Sequence, residues 1–264
     1  MKEITSIQNK LIKDLVQLRE KSRVRKKTNS FLIEGQREIS LALKGSYTIS
    51  KVFFVPSVFS EEKLEEFKFK KEVDLISISE EVYAKIALRD STEGVIALAQ
   101  SNLINLSELK FEKKNPIILI AESLEKPGNL GAILRTADAA NIDAVILSNG
   151  RSDFYNPNVI RSSVGCVFTN KIVSTNNEEL IPWLKENNIS IYSAALSASK
   201  PYTEMDYTSA SAIVVGTEAT GLSNDWLEAS TQNIIIPMEG QIDSMNVSVS
   251  AAIILFEAKR QRIA

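Results

Sequence analysis

The chain has 264 residues, 44% of them apolar, with 31 basic against 33 acidic side chains, one cysteine and no histidine. At roughly 150 residues per domain, that length supports a full core and leads us to expect two modest domains. The lack of histidine excludes Ser-His-Asp and Cys-His catalytic sets and the usual His-containing zinc sites, so no metal is expected; the lone Cys166 excludes disulfides and CxxC pairs and points to a reducing, cytoplasmic compartment.

The opening MKEITSIQNKLIKDL carries charges where a signal peptide would be apolar, and no later stretch reaches ~18 uncharged apolar residues, so no membrane span is expected. Ile7, Leu11, Leu15 and Leu18 recur at helical spacing, and Phe31-Leu32-Ile33 leads into a second helical segment from Glu34 to about Leu43. Short β-rich runs follow at Val52 to Val55, Val73 to Ile78 and Val95 to Leu98, separated by charged helical stretches at Glu61 to Phe67 and Glu80 to Leu88. Such alternation predicts a small α/β domain.

Charge is uneven along the chain. Residues 1–115 carry 21 basic against 17 acidic side chains, whereas residues 116–264 carry 10 against 16. Much of the positive excess lies in residues 1–30, in the run Lys21, Arg23, Arg25, Lys26, Lys27. A run of this kind at the end of an amphipathic helix is a candidate RNA phosphate contact; its bland alternative is a solvated face.

Residues 101–115 lose the pattern and end in Glu112-Lys113-Lys114-Asn115-Pro116, which reads as a tether over 106–115 between a domain of residues 1–105 and one of residues 116–264. Beyond it, uncharged β-rich segments recur at Ile117 to Ile120, Ala144 to Leu147, Ser190 to Ala194, Ala212 to Val215 and Asn233 to Ile236, as expected of a parallel sheet buried on both faces. Helical segments fall at Asn129 to Ala140, Asn177 to Glu186, Ser223 to Ser230 and Val247 to about Arg262. A sheet of this kind binds ligands at the carboxyl ends of its strands. There is no GxxxxGK[ST], and no GxGxxG follows a strand, so neither a P-loop nor an ordinary dinucleotide site is supported.

Three polar loops interrupt the apolar pattern. The first runs from Glu122 to Arg135, where Asn129 reads alone as a helix cap and Arg135 as a solvated side chain. The second is the turn Gly216 to Gly221 with Glu218 inside it, alone a tight strand-to-helix connection. The third runs from Ile236-Pro237-Met238 to Ser244-Met245-Asn246-Val247-Ser248, where Ser244 or Asn246 reads alone as the cap of the last helix.

In combination and order, PGNLGAILRTA at 127–137, VVGTEATGL at 214–222, and IPM with SMNVSVSAA between 236 and 252 closely resemble the SpoU, or TrmH-type, RNA ribose 2′-O-methyltransferases of the SPOUT class. The first half is similar to that family's substrate-binding domain through IxSxxNK at 4–10, FLIEG at 31–35 and TEGV at 92–95. The resemblance implies an α/β fold in which a small N-terminal α/β RNA-binding domain precedes a C-terminal, trefoil-knotted, parallel-sheet SPOUT domain. It further implies S-adenosylmethionine as methyl donor, RNA as partner and a homodimer that completes the site. Donor-binding residues would include Gly216, Ile236 and Met245, with groups near Leu196, Glu218, Pro237, Met238 and Val247. Family members usually carry leucine where Met245 stands, so that contact is expected to keep its kind and change its shape.

Catalytic weight falls by the same resemblance on Asn129, Arg135, Glu218, Asn246 and Ser248. A guanidinium with a pKa above ~12 is a poor proton acceptor, so Arg135 is expected to clamp the neighbouring phosphate and stabilise a developing alkoxide. Glu218 would orient it or take the proton through water. Large-subunit ribosomal RNA is the expected substrate, with transfer RNA as the alternative. A non-catalytic RNA-binding protein of the same fold would show no methyl transfer; an unrelated nucleotide enzyme would prefer NAD or ATP to S-adenosylmethionine.

Overall fold

The computed structural model describes residues 2–69, 72–88, 93–150, 152–196, 199–217 and 220–263. The chain divides into two compact units, one of residues 1–102 with 153–169 and one of residues 103–152 with 170–264. Among the described residues, no helix is long and apolar enough to cross a membrane.

The first unit runs β1 (Lys2–Ile4), α1 (Lys10–Glu20), α2 (Ser22–Thr28), β2 (Ser30–Glu34), α3 (Gln36–Lys44), β3 (Ile49–Phe54), α4 (Glu61–Glu65), β4 (Asp74–Ile78), α5 (Glu80–Ile86) and β5 (Val95–Gln100). Its sheet has the order β1-β4-β3-β5-β2. The β2–β5 and β3–β5 pairs are antiparallel, and β3–β4 and β1–β4 are parallel. Asn9 caps α1 by accepting from the Leu11 amide at 2.9 Å, which starts the helix after Ile7 and turns Ile12, Leu15 and Leu18 fully inward. Ile7 and Leu11 pack only at the edge of that core. The basic run occupies a separate short helix, α2, which ends at Asn29 in the left-handed conformation with φ 50°.

The second unit begins at Leu103, and the stretch expected to be a tether is partly folded into it. Ile104, Leu106, Leu109 and Phe111 pack on its core, and a capping box joins Asn105 to Glu108. Glu112 to Asn115 form the longest exposed run there. The unit continues through β6 (Ile117–Glu122), α6 (Pro127–Ala139) and β7 (Ala144–Ser148); the chain then gives α7 (Pro157–Ser162) to the first unit. It returns for β8 (Ile172–Thr175), α8 (Asn177–Glu186), β9 (Ser190–Ala194), β10 (Lys200–Pro201), β11 (Ser211–Val215), α9 (Asn224–Ala229), β12 (Gln232–Ile235) and α10 (Val247–Arg260).

The second sheet has the order β10-β12-β9-β11-β6-β7-β8, and its strands pair parallel throughout. Every residue of β6, β7 and β11 is buried, as their sequences, uncharged except for Glu122 at the end of β6, predict for strands covered on both faces. Ile118, Ile120, Ile146, Ala212 and Val214 point to the face covered by Leu180, Leu184 and Trp226 of α8 and α9. On the other face α6 and α10 pack against each other.

One departure from expectation matters most. The segment 153–169 follows β7 in the chain yet folds with residues 1–102. Tyr155 stacks on Phe31 with ring centroids 4.1 Å apart, its hydroxyl accepts from the Asn102 amide at 2.9 Å, and the Phe168 carbonyl lies so close to Gly45 that a Cβ there would sit 2.1 Å from its oxygen. Arg25 is 5% exposed and donates to Asp153 Oδ2 at 2.7 Å and to the Leu18 and Arg19 carbonyls at 2.8 Å each. Its guanidinium is therefore committed to the interior and is withdrawn from the set of phosphate contacts. Lys21, Arg23, Lys26 and Lys27 are exposed.

Candidate functional site

The carboxyl ends of β9, β11 and β12 open into a cleft of about 450 Å³. That size falls in the range usual for small-molecule and cofactor sites, about 300–1,000 Å³. Three chain segments form its walls: Ala194 to Leu196 at the end of β9, Val215 to Thr217 with Thr220 to Leu222 around the Gly216 turn, and Ile234 onward through Met238, Asp243, Ser244, Met245 and Val247. The floor is apolar through Leu222, Leu227 and Ile234, while the rim offers the hydroxyls of Thr217, Thr220 and Ser244.

The turn after β11 is held by its own hydrogen bonds. Thr217 and Gly221 exchange amide-to-carbonyl bonds of 3.1 Å in each direction, and the Thr220 amide donates to the Thr217 hydroxyl, also at 3.1 Å. Gly221 has φ +68°, which favours glycine. At Gly216 the demand is space: a Cβ would lie 2.4 Å from the carbonyl carbon and oxygen of Gly221 and 2.7 Å from the Leu222 nitrogen.

Beside this cleft, the first turns of α6 and α10 meet. Asn246 caps α10, accepting from the Ser248 amide at 3.0 Å and the Ser248 hydroxyl at 2.6 Å, and it donates through Nδ2 to Asn129 Oδ1 at 3.1 Å. Ser244 is not the cap. Asn129 is not a cap either, because α6 starts two residues earlier with Pro127 at its first position, where fixed φ and the missing N–H suit the helix. Asn129, Asn246 and Ser248 thus form one polar cluster at two helix starts.

Arg135 stands apart from that cluster. Six residues along α6 from Asn129 correspond to about 9 Å of rise and about 120° of rotation. Its side chain is exposed and has no hydrogen bond or ion pair among the described residues. Of the expected donor-binding residues, Leu196, Gly216, Ile236, Met238, Met245 and Val247 line the cleft, and Pro237 lies between two that do. Glu218, expected in both the catalytic and the donor-binding sets, lies outside the described residues.

Sequence reasoning did not single out Thr217, Asp243 or Ala195, which line the cleft, nor Glu122 behind it. The signal for Glu122 was present in IILIAE: one charge ends an otherwise uncharged strand, and the structure keeps it 3% exposed at the last residue of β6.

Comparison with known proteins bears on what this site does. Residues 116–256 match the SpoU rRNA Methylase family, and residues 9–97 match an MRM3-like substrate binding domain. A protein of Bacillus subtilis (strain 168) named 23S rRNA (guanosine(2553)-2'-O)-methyltransferase RlmP is 31% identical over 259 residues, spanning 98% of this chain and 100% of that protein. The 23S rRNA (guanosine-2'-O-)-methyltransferase RlmB of Vibrio vulnificus (strain CMCP6) is 33% identical over 203 residues, covering 73% of this chain and 82% of its own. A crystal structure described as an RNA 2'-O ribose methyltransferase is similar with a TM-score of 0.84 and 39% identity over 99% of this chain and 100% of that one. The AdoMet-bound rRNA methyltransferase from Sinorhizobium meliloti gives a TM-score of 0.91 at 27% identity, over 100% and 99% of the two chains. With the SpoU match spanning more than half of its length and a relative aligned end to end, the chain belongs to the SpoU rRNA Methylase family.

Proposed function

We propose that this protein transfers a methyl group from S-adenosylmethionine to a ribose 2′-hydroxyl of large-subunit ribosomal RNA. The observation that carries this reading is the cleft at the carboxyl edge of the parallel sheet, lined by Gly216, Ile236 and Met245 of the family's motifs and adjoining the Asn129–Asn246 cluster. The residues present fit the donor: an apolar floor suits the adenine, backbone groups approach closely at Gly216, and the Asp243 carboxylate on the wall suits the donor's positive charge.

S-adenosylmethionine supplies a methyl group on a sulfonium, and transfer to the ribose oxygen discharges that sulfonium. This chain's residues then have two tasks, in-line placement of the hydroxyl and removal of one proton. Asn129 and Asn246, joined by their hydrogen bond, present amide groups to hold the ribose, with the Ser248 hydroxyl alongside. Arg135 clamps the adjoining phosphate and stabilises the developing alkoxide, and Glu218 orients it or accepts the proton through water.

A homodimer completes the site in this reading. Its support is the distance of Arg135 from Asn129 along α6, together with Val249 and Phe256, which lie seven residues apart on α10 and are 46% and 50% exposed. Convergence of the Gly216 turn and the Ile236 to Met245 loop on one cleft supports the trefoil knot implied by the family resemblance. Exposed Lys21, Arg23, Lys26 and Lys27 of the first unit bind RNA phosphates, and a cytoplasmic location is the reading that a ribosomal substrate and a single thiol support.

Mapping 2′-O-methyl groups in ribosomal and transfer RNA from cells with and without the protein tests the function. The expected result is one 23S position that loses its methyl group and regains it when the purified protein and S-adenosylmethionine are added. Loss confined to a transfer RNA, or no loss at all, would overturn the assignment. Sedimentation checks the assembly, for which twice the monomer mass is expected.

A further inference from the structure

We propose that Glu122 is a positioning residue of the methyl-transfer site: buried behind the cleft, it fixes the far end of the Gly216–Leu222 turn and so presets the donor pocket. Both oxygens of its carboxylate are used. Oε1 accepts from the Ser223 hydroxyl at 2.6 Å and from Asn177 Nδ2 at 2.7 Å, and Oε2 accepts from the Ser223 amide at 2.8 Å. Asn177 is 3% exposed and passes the connection on, its Oδ1 accepting from the Ser148 hydroxyl at 2.6 Å and from the Trp226 indole at 2.9 Å. The ends of β6 and β7 and the starts of α8 and α9 are thereby tied at one point.

The consequence for the cleft follows from where the turn is anchored. At its start, Val215 is paired with Ala121 in the β11–β6 ladder. At its end, Ser223 follows the cleft-lining Leu222 directly and is held by Glu122, the very next residue of β6. The two ends of the turn are thus stapled to two consecutive residues of one strand. Between the staples the turn crosses itself so tightly that Gly216 has no room for a Cβ.

The chemistry of the side chain matters as much as its place. Three donors converge on it, and an ionised carboxylate is the side chain that accepts on both oxygens without presenting a proton of its own. Burying such a charge is expensive, and buried charges contribute little net stability compared with apolar packing. Its use here is geometric, because charge-assisted bonds fix the Ser223 backbone more narrowly than apolar contacts would.

This inference rests on the reading that the cleft holds S-adenosylmethionine, and the test separates the two. Donor binding by the wild-type protein is measured first by calorimetry with S-adenosylmethionine alone; its absence overturns the donor reading and the inference with it. Given wild-type binding, Glu122→Gln turns one acceptor into a donor facing donors, and its donor Kd and KM should rise about tenfold. kcat at saturating donor and affinity for RNA should stay within about twofold of wild type, a split that general damage to the fold does not produce. Ser223→Ala removes the hydroxyl bonds to Glu122 and Asn177 and keeps the amide bond to Glu122, so it folds even if Glu122→Gln does not, and its KM for the donor should rise about threefold. Wild-type donor Kd in the folded variants, or parallel loss of kcat and RNA affinity without a change in donor KM, would overturn the role of Glu122.

Discussion

At Gly216 the donor cleft leaves the sequence little freedom. Its neighbours across the turn are backbone atoms, which cannot rotate away as a side chain would, so a methyl group must push Gly221 outward. Gly216→Ala is expected to weaken donor binding about tenfold or more, the equivalent of about 1.4 kcal/mol, while leaving RNA affinity unchanged. In the proposed function, Asn129 and Arg135 serve the other half of the chemistry. Alanine at either position should lower the single-turnover rate at least about 100-fold and leave S-adenosylmethionine binding intact by calorimetry. Equal loss of donor binding in both variants would show that the two residues belong to the donor pocket instead.

The missing histidine bears on this same scale. With no imidazole in the chain and Cys166 outside the cleft, no ordinary side chain titrates between about pH 6 and 8. Single-turnover methylation should therefore rise continuously from about pH 6 toward pH 9 at saturating donor and RNA. A bell centred near pH 6.5 would instead identify a strongly perturbed carboxylate as general base, and loss of its acidic limb in Glu218→Gln would name it.

At the scale of elements, α10 meets α6 at one end and carries a hydrogen-bonded ion-pair cluster at the other. Its cap, Asn246, also touches Asn129, so Asn246→Ala should cost about 1 kcal/mol of stability in addition to activity. At the far end, Glu257 accepts from Arg260 Nε and Nη2 and from Gln261 Nε2, each at 2.8 Å, and these bonds lower its pKa to about 2. Because the folded-state value lies below that of the unfolded chain, the stabilisation is complete above the ordinary carboxylate range and disappears as pH falls toward 2. Glu257→Gln should accordingly have a lower urea midpoint than wild type at pH 7, with the gap closing near pH 2.

The same scale shows what could be read in advance and what could not. Strands β6, β7, β9 and β11 were legible because their buried stretches are uncharged, Glu122 at the end of β6 excepted, and α10 because its apolar positions repeat over four turns. Strand β8 was not, since four residues ending in Ser174-Thr175 carry too little pattern to stand out. Helix α7 was missed for a similar reason, being six residues long and opened by Pro157. At the site, motif resemblance located the cleft walls, but the bond between Glu122 and Ser223 spans 101 positions and leaves no local trace in the sequence. The burial of Arg25 was hidden likewise, because its partner Asp153 is 128 residues away.

At the scale of the whole molecule, Arg25 and Asp153 join two stretches of one folding unit that are remote in sequence. Arg25→Ala takes the cationic partner from a half-buried Asp153, which keeps only the Ser22 hydroxyl and the Tyr155 amide, so it should destabilise the protein by about 3 kcal/mol in urea unfolding. The segment that carries Asp153 also brings Phe154, Tyr155, Val159, Ile160, Val167 and Phe168 into the interior of the first unit. Deleting residues 1–102 alone should therefore give an aggregating product. The same deletion with residues 153–169 replaced by a Gly/Ser linker of equal length should yield a protein that binds S-adenosylmethionine and does not methylate RNA.

The chain passes between its two units three times, after residues 102, 152 and 169. A single protease cut at the exposed Lys113-Lys114 would separate the covalent halves without releasing either one. Residues 1–102 would still grip 153–169, a piece of the other fragment, through the Arg25–Asp153 pair and the Phe31–Tyr155 stack. The nicked protein should elute from a sizing column as one particle and fall into two bands only in denaturant. In consequence, the first unit cannot be exchanged with that of a relative at one junction: residues 1–102 and 153–169 would have to travel together.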